Sequence, residues 1–339
     1  MRIVVDAMGS DKFPVPDVEG AVAAAHEYGV EIILVGDEAK VRPVLAAQNT
    51  QGVSIKIVHA PEMLTMEDKG MALALKAKRK EAKSSMAIAI DLLKSGEAQA
   101  FVTMGNTGAC VAVAYFRLGM LKGVERPALA APFPTRTGIC IALDIGANPD
   151  CKPENLMQFG IMGSVYAEKV RQIKNPRIGL LSNGEEAGKG NQLVKDTYPL
   201  LAGAGLNFIG NVEGKEFIGG EADIVVMDGF TGNIALKTSE AVAKLITDTI
   251  REKIRGGSAL TKLGGALVRG ELQSLRAMLD PSHEGAAPLL GVNGLVFIGH
   301  GRSDALAVQN AVRVAKQAVE ANVLTSISAE IIRRLPKEA

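Results

Sequence analysis

Short, β-prone apolar runs alternate with longer stretches of helical periodicity almost from end to end of the chain. The pattern predicts strands near 2–6 (RIVVD), 31–35 (EIILV), 53–58, 99–103, 138–144, 177–181, 206–210, 223–227 and 294–298. Helices are predicted near 17–28, 67–95, 106–120, 153–172, 190–202, 231–255 and 303–321. Continuous short apolar runs suit strands covered on both faces. Their alternation with helices reads as βαβ units around a mostly parallel sheet. No internal period and no Pro/Ser-rich linker divides the chain, so residues 1–339 are expected to form a single α/β domain. The one compositional break is 256–270, GGSALTKLGGALVRG, with five glycines in fifteen residues. From there to about 282 the periodicity predicts a protruding amphipathic segment. Leu260, Leu263, Leu267, Leu275 and Met278 fall on one arc, and Lys262, Arg269 and Arg276 recur every seven residues opposite it. Such a face suits an anionic membrane surface or a dimer partner.

Composition narrows the function. The 38 Lys and Arg against 37 Asp and Glu leave a net charge of +1, without the basic excess of a nucleic-acid binder. Thirteen aromatics and no Trp leave little for base stacking. Charges break every apolar stretch well before the length a membrane helix needs, and the short run that ends at Asp6 does not read as a signal peptide. Cys110, Cys140 and Cys151 fit neither a disulfide framework nor a zinc site. A reducing, cytoplasmic setting follows. Glycine alone departs from the average, 37 of 339 residues, and it clusters just after the apolar runs.

Those clusters are the candidate site, because ligands of open α/β sheets bind beyond the carboxyl ends of the strands. Six predicted strand ends share one chemistry, a polar residue followed by glycine. They supply Asp6 and Gly9; Gly105, Asn106, Thr107 and Gly108; Asp144 and Asn148; Asn183, Gly184 and Lys189; Asp228, Gly229 and Asn233; and His300 and Arg302. Glycine lets backbone approach a ligand, and free N–H groups at helix starts favour an anion such as phosphate. Asp/Asn/Gly after a strand is also ordinary turn and cap chemistry. No G-x-G-x-x-G follows a strand, and Gly184, Gly188 and Lys189 fall one residue short of a P-loop, which disfavours NAD and ATP. No G-x-S-x-G elbow and no H-x-x-x-H pair is present, and of His26, His59, His283 and His300 only His300 lies in a glycine-rich loop. No metal and no cofactor is expected. Lys76, Lys78, Arg79, Lys80 and Lys83 put five cations into eight residues, just before the candidate substrate contact Ser85. That run suits an acidic protein partner or a solvated helix face.

In this order the loops resemble those of the bacterial phosphate acyltransferase family. DAMGSD at 6–11, GNTGA at 105–109, LDIGAN at 143–148, NGEEAGKGN at 183–191, DGFTGN at 228–233 and GAAPLLGVNG at 285–294 carry the resemblance, which runs collinearly from residue 2 to about 320. Ser10 and Ala286 stand where that family more often has Gly, and Ile298 where it often has Lys. The resemblance implies a Rossmann-like α/β/α sandwich related to phosphate acetyltransferase and isopropylmalate dehydrogenase folds. It implies a homodimer that moves a fatty acyl group from acyl carrier protein to inorganic phosphate. The acyl phosphate would feed a membrane glycerol-3-phosphate acyltransferase for phosphatidic acid synthesis. His300, Asn183, Lys189 and Asp228 are the candidate catalytic residues, the other loop residues candidate phosphate and substrate contacts. The chemistry agrees. Phosphate is already an anion at pH 7 and a thiolate leaves readily, so the site needs N–H groups and polar side chains more than a strong base. The competing readings are an NAD-dependent decarboxylating dehydrogenase of related fold and a non-catalytic anion-binding module.

Overall fold

The computed structural model describes residues 1–65, 68, 76–78, 83–272 and 281–335. It is an α/β protein with two sheets rather than the one expected. The first sheet has the order β3-β2-β1-β4-β12-β11-β5. Its strands are β1 (Arg2–Asp6), β2 (Glu31–Gly36), β3 (Ile55–His59), β4 (Ala100–Thr103), β5 (Ala128–Leu129), β11 (Ala287–Leu290) and β12 (Val296–Ile298). All pair in parallel except β11, which runs antiparallel to both its neighbours. The second sheet has the order β6-β7-β10-β8-β9. It comprises β6 (Ala131–Thr135), β7 (Gly138–Leu143), β8 (Ile178–Leu181), β9 (Phe208–Val212) and β10 (Ile224–Val226), with only the β6–β7 pair antiparallel.

The nine predicted strands are present, β1 with its predicted bounds and the others with shifted ends, and β5, β6 and β11 add to them. Pro132 and Pro134 interrupt the β signal of β6, yet this strand lies at a sheet edge, where a missing N–H costs no ladder bond. The helices are α1 (Val15–Tyr28), α2 (Glu38–Ala46), α3 (Ser85–Lys94), α4 (Thr107–Arg117), α5 (Pro153–Val170), α6 (Gln192–Gly203), α7 (Gly214–Gly219), α8 (Gly229–Gly256), α9 (Ala259–Leu267), α10 (Ala305–Glu320) and α11 (Val323–Arg334). The sequence pattern passed over α2, α7 and α11. Most of the predicted helix before residue 85 lies outside the described residues, as do Arg79, Lys80, Leu275, Arg276 and Met278.

One hydrophobic cluster runs through both sheets, from Ile3 and Val5 of β1, through Phe159 and Met162 of α5, to Leu143 of β7 and Ile224 of β10. Helix α5 is apolar around most of its circumference and is buried accordingly, from Asn155 to Ala167 without a break. Helix α8 is the opposite case. Of its 28 residues only Gly229 and Gly232, at its start, are buried. Val242, Leu245 and Ile246 are exposed along it, and α9 beyond buries none of its residues. Leu260, Leu263 and Leu267 there are 78%, 58% and 80% exposed.

Candidate active site

The six glycine-rich loops divide evenly between the sheets. Those after the parallel neighbours β1, β4 and β12 leave one edge of the first sheet, and those after β7, β8 and β10 leave one edge of the second. Where the edges meet, a cleft of about 710 Å³ opens. Thr107, His300 and Arg302 reach it from the first sheet, Gly146 and Asn233 from the second. Leu129, Pro132, Ile145, Leu236 and Ile298 form an apolar wall beside them.

Two buried carboxylates shape the rims. Asp144, at the end of β7, accepts hydrogen bonds from the backbone N–H groups of Leu129, Gly146, Ala147 and Asn148 at 2.8–3.1 Å and from Asn148 Nδ2 at 2.8 Å. Asn148 Nδ2 also donates to the Pro127 carbonyl at 2.5 Å. Five donors on one carboxylate lock the 144–148 loop and tie it to β5. Asp6, at the end of β1, accepts from Thr103 Oγ1 at 2.8 Å and Met8 N at 3.1 Å, and Ser85 adds a side-chain bond. Burial lifts both carboxyls above the usual range, and the hydrogen bonds pull the other way. Asp6, Asp144, Asn148 and Ser85 thus sit behind the cleft and are absent from its lining.

Close backbone approach explains two of the glycines. A side-chain carbon at Gly9 would stand 2.8 Å from Met104 N and 2.9 Å from Gly105 N, so only glycine lets the first two loops touch. One at Gly232 would collide with the Asp144 carbonyl, so α8 can start against the 144–148 loop only with glycine there. Gly229 N donates to the Asn148 carbonyl at 2.8 Å, while Asp228 caps the helix by accepting from Thr231 N and Oγ1 at 2.9 and 2.8 Å. Asn106 caps α4 through Ala109 N at 3.1 Å and donates to the Thr65 carbonyl at 3.0 Å. Gly105 N donates to Thr103 Oγ1, and Gly108 lies exposed in the first turn of α4.

The 183–191 loop does not reach the cleft lining. Asn183 Oδ1 holds Gly190 N at 3.0 Å, and the exposed Lys189 lays its stem over buried Gly184. Beside this loop Glu185, Glu213 and Glu216 lie close enough to share a cation, but Lys215 Nζ already stands 2.8, 3.4 and 3.2 Å from them.

The sequence motifs leave out several cleft residues, among them Leu129, Pro132 and Glu284 and three residues of α8. Leu236, Lys237 and Glu240 follow Asn233 at i+3, i+4 and i+7 on α8, so the four form one stripe of the helix facing the cleft. The signal was the helical period running on beyond the TGN motif. Glu240 joins the halves of the site: its carboxylate lies 3.6 Å from His300 Nε2 and 3.2 Å from Arg302 Nη2. Burial depresses the His300 pKa, Glu240 opposes this, and Arg302 adds to it, so the imidazole is neutral at pH 7. The thiols are no nucleophiles. Burial raises Cys110 and Cys140 strongly and Cys151 to about 12, and none lines the cleft.

Comparison with known proteins decides the class. A family profile described as a fatty acid synthesis protein matches residues 1–326. The phosphate acyltransferase of Pelotomaculum thermopropionicum is 46% identical over 331 residues, 98% of this chain and 95% of its own. That of Thermus thermophilus is 49% identical over 328 residues, covering 96% and 97%. The chain belongs to the phosphate acyltransferase family. It is accordingly an acyltransferase of fatty acid and lipid synthesis. Among solved structures, a phosphotransacetylase from Streptococcus pyogenes superposes with a TM-score of 0.61 at 18% identity, covering 94% of each chain. A 4-hydroxythreonine-4-phosphate dehydrogenase from Klebsiella pneumoniae gives 0.53 at 13% identity, covering 93% of this chain and 99% of its own. At such identities the likeness bears on the fold, which these enzymes share with the family member described here.

Proposed function

We propose that the protein transfers a fatty acyl group from acyl carrier protein to inorganic phosphate, and that the product, an acyl phosphate, supplies phosphatidic acid synthesis. The observation that carries this reading is the cleft between the two sheets, lined by Thr107, Asn233, His300 and Arg302 beside an apolar wall. A phosphate oxygen attacks the thioester carbonyl, a C–O bond forms and the C–S bond breaks. The thiolate leaves unaided and takes its proton from solvent. Neutral His300 hydrogen-bonds the developing oxyanion or orients the phosphate, and Arg302, paired with Glu240, offers N–H donors beside it. The apolar wall holds the first methylenes of the acyl chain. Asp228, Gly9, Gly105, Gly229, Asp6 and Asp144 serve by fixing the loops that carry these groups. Incubating palmitoyl-carrier protein with phosphate and trapping the product as hydroxamate tests the activity; no phosphate-dependent hydroxamate would refute it.

The carrier protein is acidic, and the basic run before α3 is its proposed dock. Lys76 pairs with Asp68 at 2.5 Å, Lys78 lies 4.9 Å from the centre of the Phe116 ring, and Lys83 is exposed. The exposed apolar residues of α8 and α9 divide between two proposed tasks, pairing with a second copy and resting on an anionic membrane. No helix among the described residues is long and apolar enough to cross a bilayer, so α9 would lie on its surface. There the apolar product passes to a glycerol-3-phosphate acyltransferase.

A further inference from the structure

The cleft-facing stripe of α8 carries a cation, Lys237, that is in ion-pair contact with no carboxylate among the described residues. Arg302 shares the Glu240 carboxylate with His300, and Glu284, also in the lining, is held by Arg171. Lys237 lines the same cleft, is exposed, and forms no ion pair among the described residues. Asp11, on the β1 loop, is the cleft carboxylate without a cation partner among the described residues.

An anion entering this space meets Arg302 already offset by Glu240, an imidazole that is neutral, and a carboxylate at Asp11 that repels it. Lys237 is the one uncompensated positive charge among the described lining residues. The helix that presents it is held firmly near its start, by the Asp228 cap and by the contact of Gly232 with the Asp144 backbone. Leu236, next to it, belongs to the apolar wall. Adjacent positions on one helix therefore offer a phosphate charge and an acyl surface side by side, the arrangement an attack of phosphate on an acyl carbonyl requires.

We propose that Lys237 is the cation that holds inorganic phosphate in the cleft, the part that the strand-end motifs had directed to Lys189. A lysine ammonium is a compact charge that binds phosphate without demanding a fixed bidentate geometry, so it can follow the phosphate as the bond to carbon forms. The assignment rests on the acyl-phosphate reading of the cleft, and the experiment separates the two.

Phosphate binding to the full chain is measured without acyl donor, by titrating inorganic phosphate in a calorimeter, for wild type, Lys237→Met, Lys237→Arg and Lys189→Ala. The apparent KM values for phosphate and for acyl carrier protein follow from the hydroxamate assay. Lys237→Met is expected to weaken phosphate by about tenfold or more in both measurements, as loss of one charge-assisted contact should. Its KM for the acyl donor should stay within about twofold, Lys237→Arg should retain most of the affinity, and Lys189→Ala should bind as wild type does. A retained melting temperature shows that the exposed Lys237 was not needed for folding. Wild-type affinity in Lys237→Met, a loss confined to Lys189→Ala, or no phosphate binding by the wild type overturns the assignment. Phosphate binding that depends on Lys237 without any acyl phosphate formation leaves the assignment standing and removes the proposed reaction.

Discussion

Replacing Glu240 with Gln isolates the electrostatic link between α8 and the β12 loop. The carboxylate faces His300 Nε2 at 3.6 Å and stabilises its protonated form. Opposite unit charges at that distance attract by about 1 kcal/mol in water and by roughly 4–5 kcal/mol at an effective dielectric near 20. The side chains are 48% and 28% exposed, so solvent screening places the value at the low end. About 1 kcal/mol corresponds to roughly 0.7 of a pH unit. Glu240→Gln also leaves Arg302 with its full charge, which acts in the same direction. The His300 pKa, already below that of a free histidine, is therefore expected to fall further, by about half to one unit. Proton NMR titration of the imidazole signals reads this directly, with His300→Gln assigning the resonance among four histidines. In the hydroxamate assay the acidic limb of the pH profile should move to lower pH by the same amount. An unmoved or rising His300 pKa in Glu240→Gln would refute the coupling.

Other outcomes follow from the same geometry. Burial raises the Asp17 carboxyl to about 7, with Ser10 Oγ donating to it at 2.5 Å. A folded pKa above the unfolded one means that the stability it confers is complete below about pH 4 and is lost as pH rises through about 7. Urea unfolding should accordingly show wild type losing up to about 4 kcal/mol relative to Asp17→Asn between pH 4 and pH 8, and parallel profiles would show that Asp17 is ionised in the fold. His300→Ala should cut turnover by about 100-fold if the imidazole donates to the oxyanion, while near-full turnover reduces it to a loop residue. Leu267→Glu, at a site 80% exposed, should abolish flotation of the protein with anionic liposomes while light scattering shows its assembly unchanged. A wild type that stays in solution at low salt makes that face a protein contact. Charge reversal at Lys78 should raise the KM for acyl carrier protein and leave that for phosphate unmoved; equal effects on both would mean general damage.

What the sequence determined by itself was local. Apolar runs such as RIVVD and EIILV became buried parallel strands because only a sheet covered on both faces satisfies them. The strand-end glycines marked the edges where ligands bind, since turn and cap chemistry is written within a few residues. The apolar stripe of α9 was legible too, because helical period needs no partner to be read. Tertiary structure decided how these pieces meet. Six similar loops carried no sign that they belong to two sheets, because strand order depends on contacts far apart in the chain. Asp144 and Lys189 looked alike as polar residues in such loops, yet one is buried under five hydrogen bonds and the other lies outside the cleft. Lys237 and Glu240 lie outside the glycine-rich motifs. They enter the site because α8, able to start against the 144–148 loop only through Gly232, turns one side of its helix toward a loop some sixty residues later in the chain.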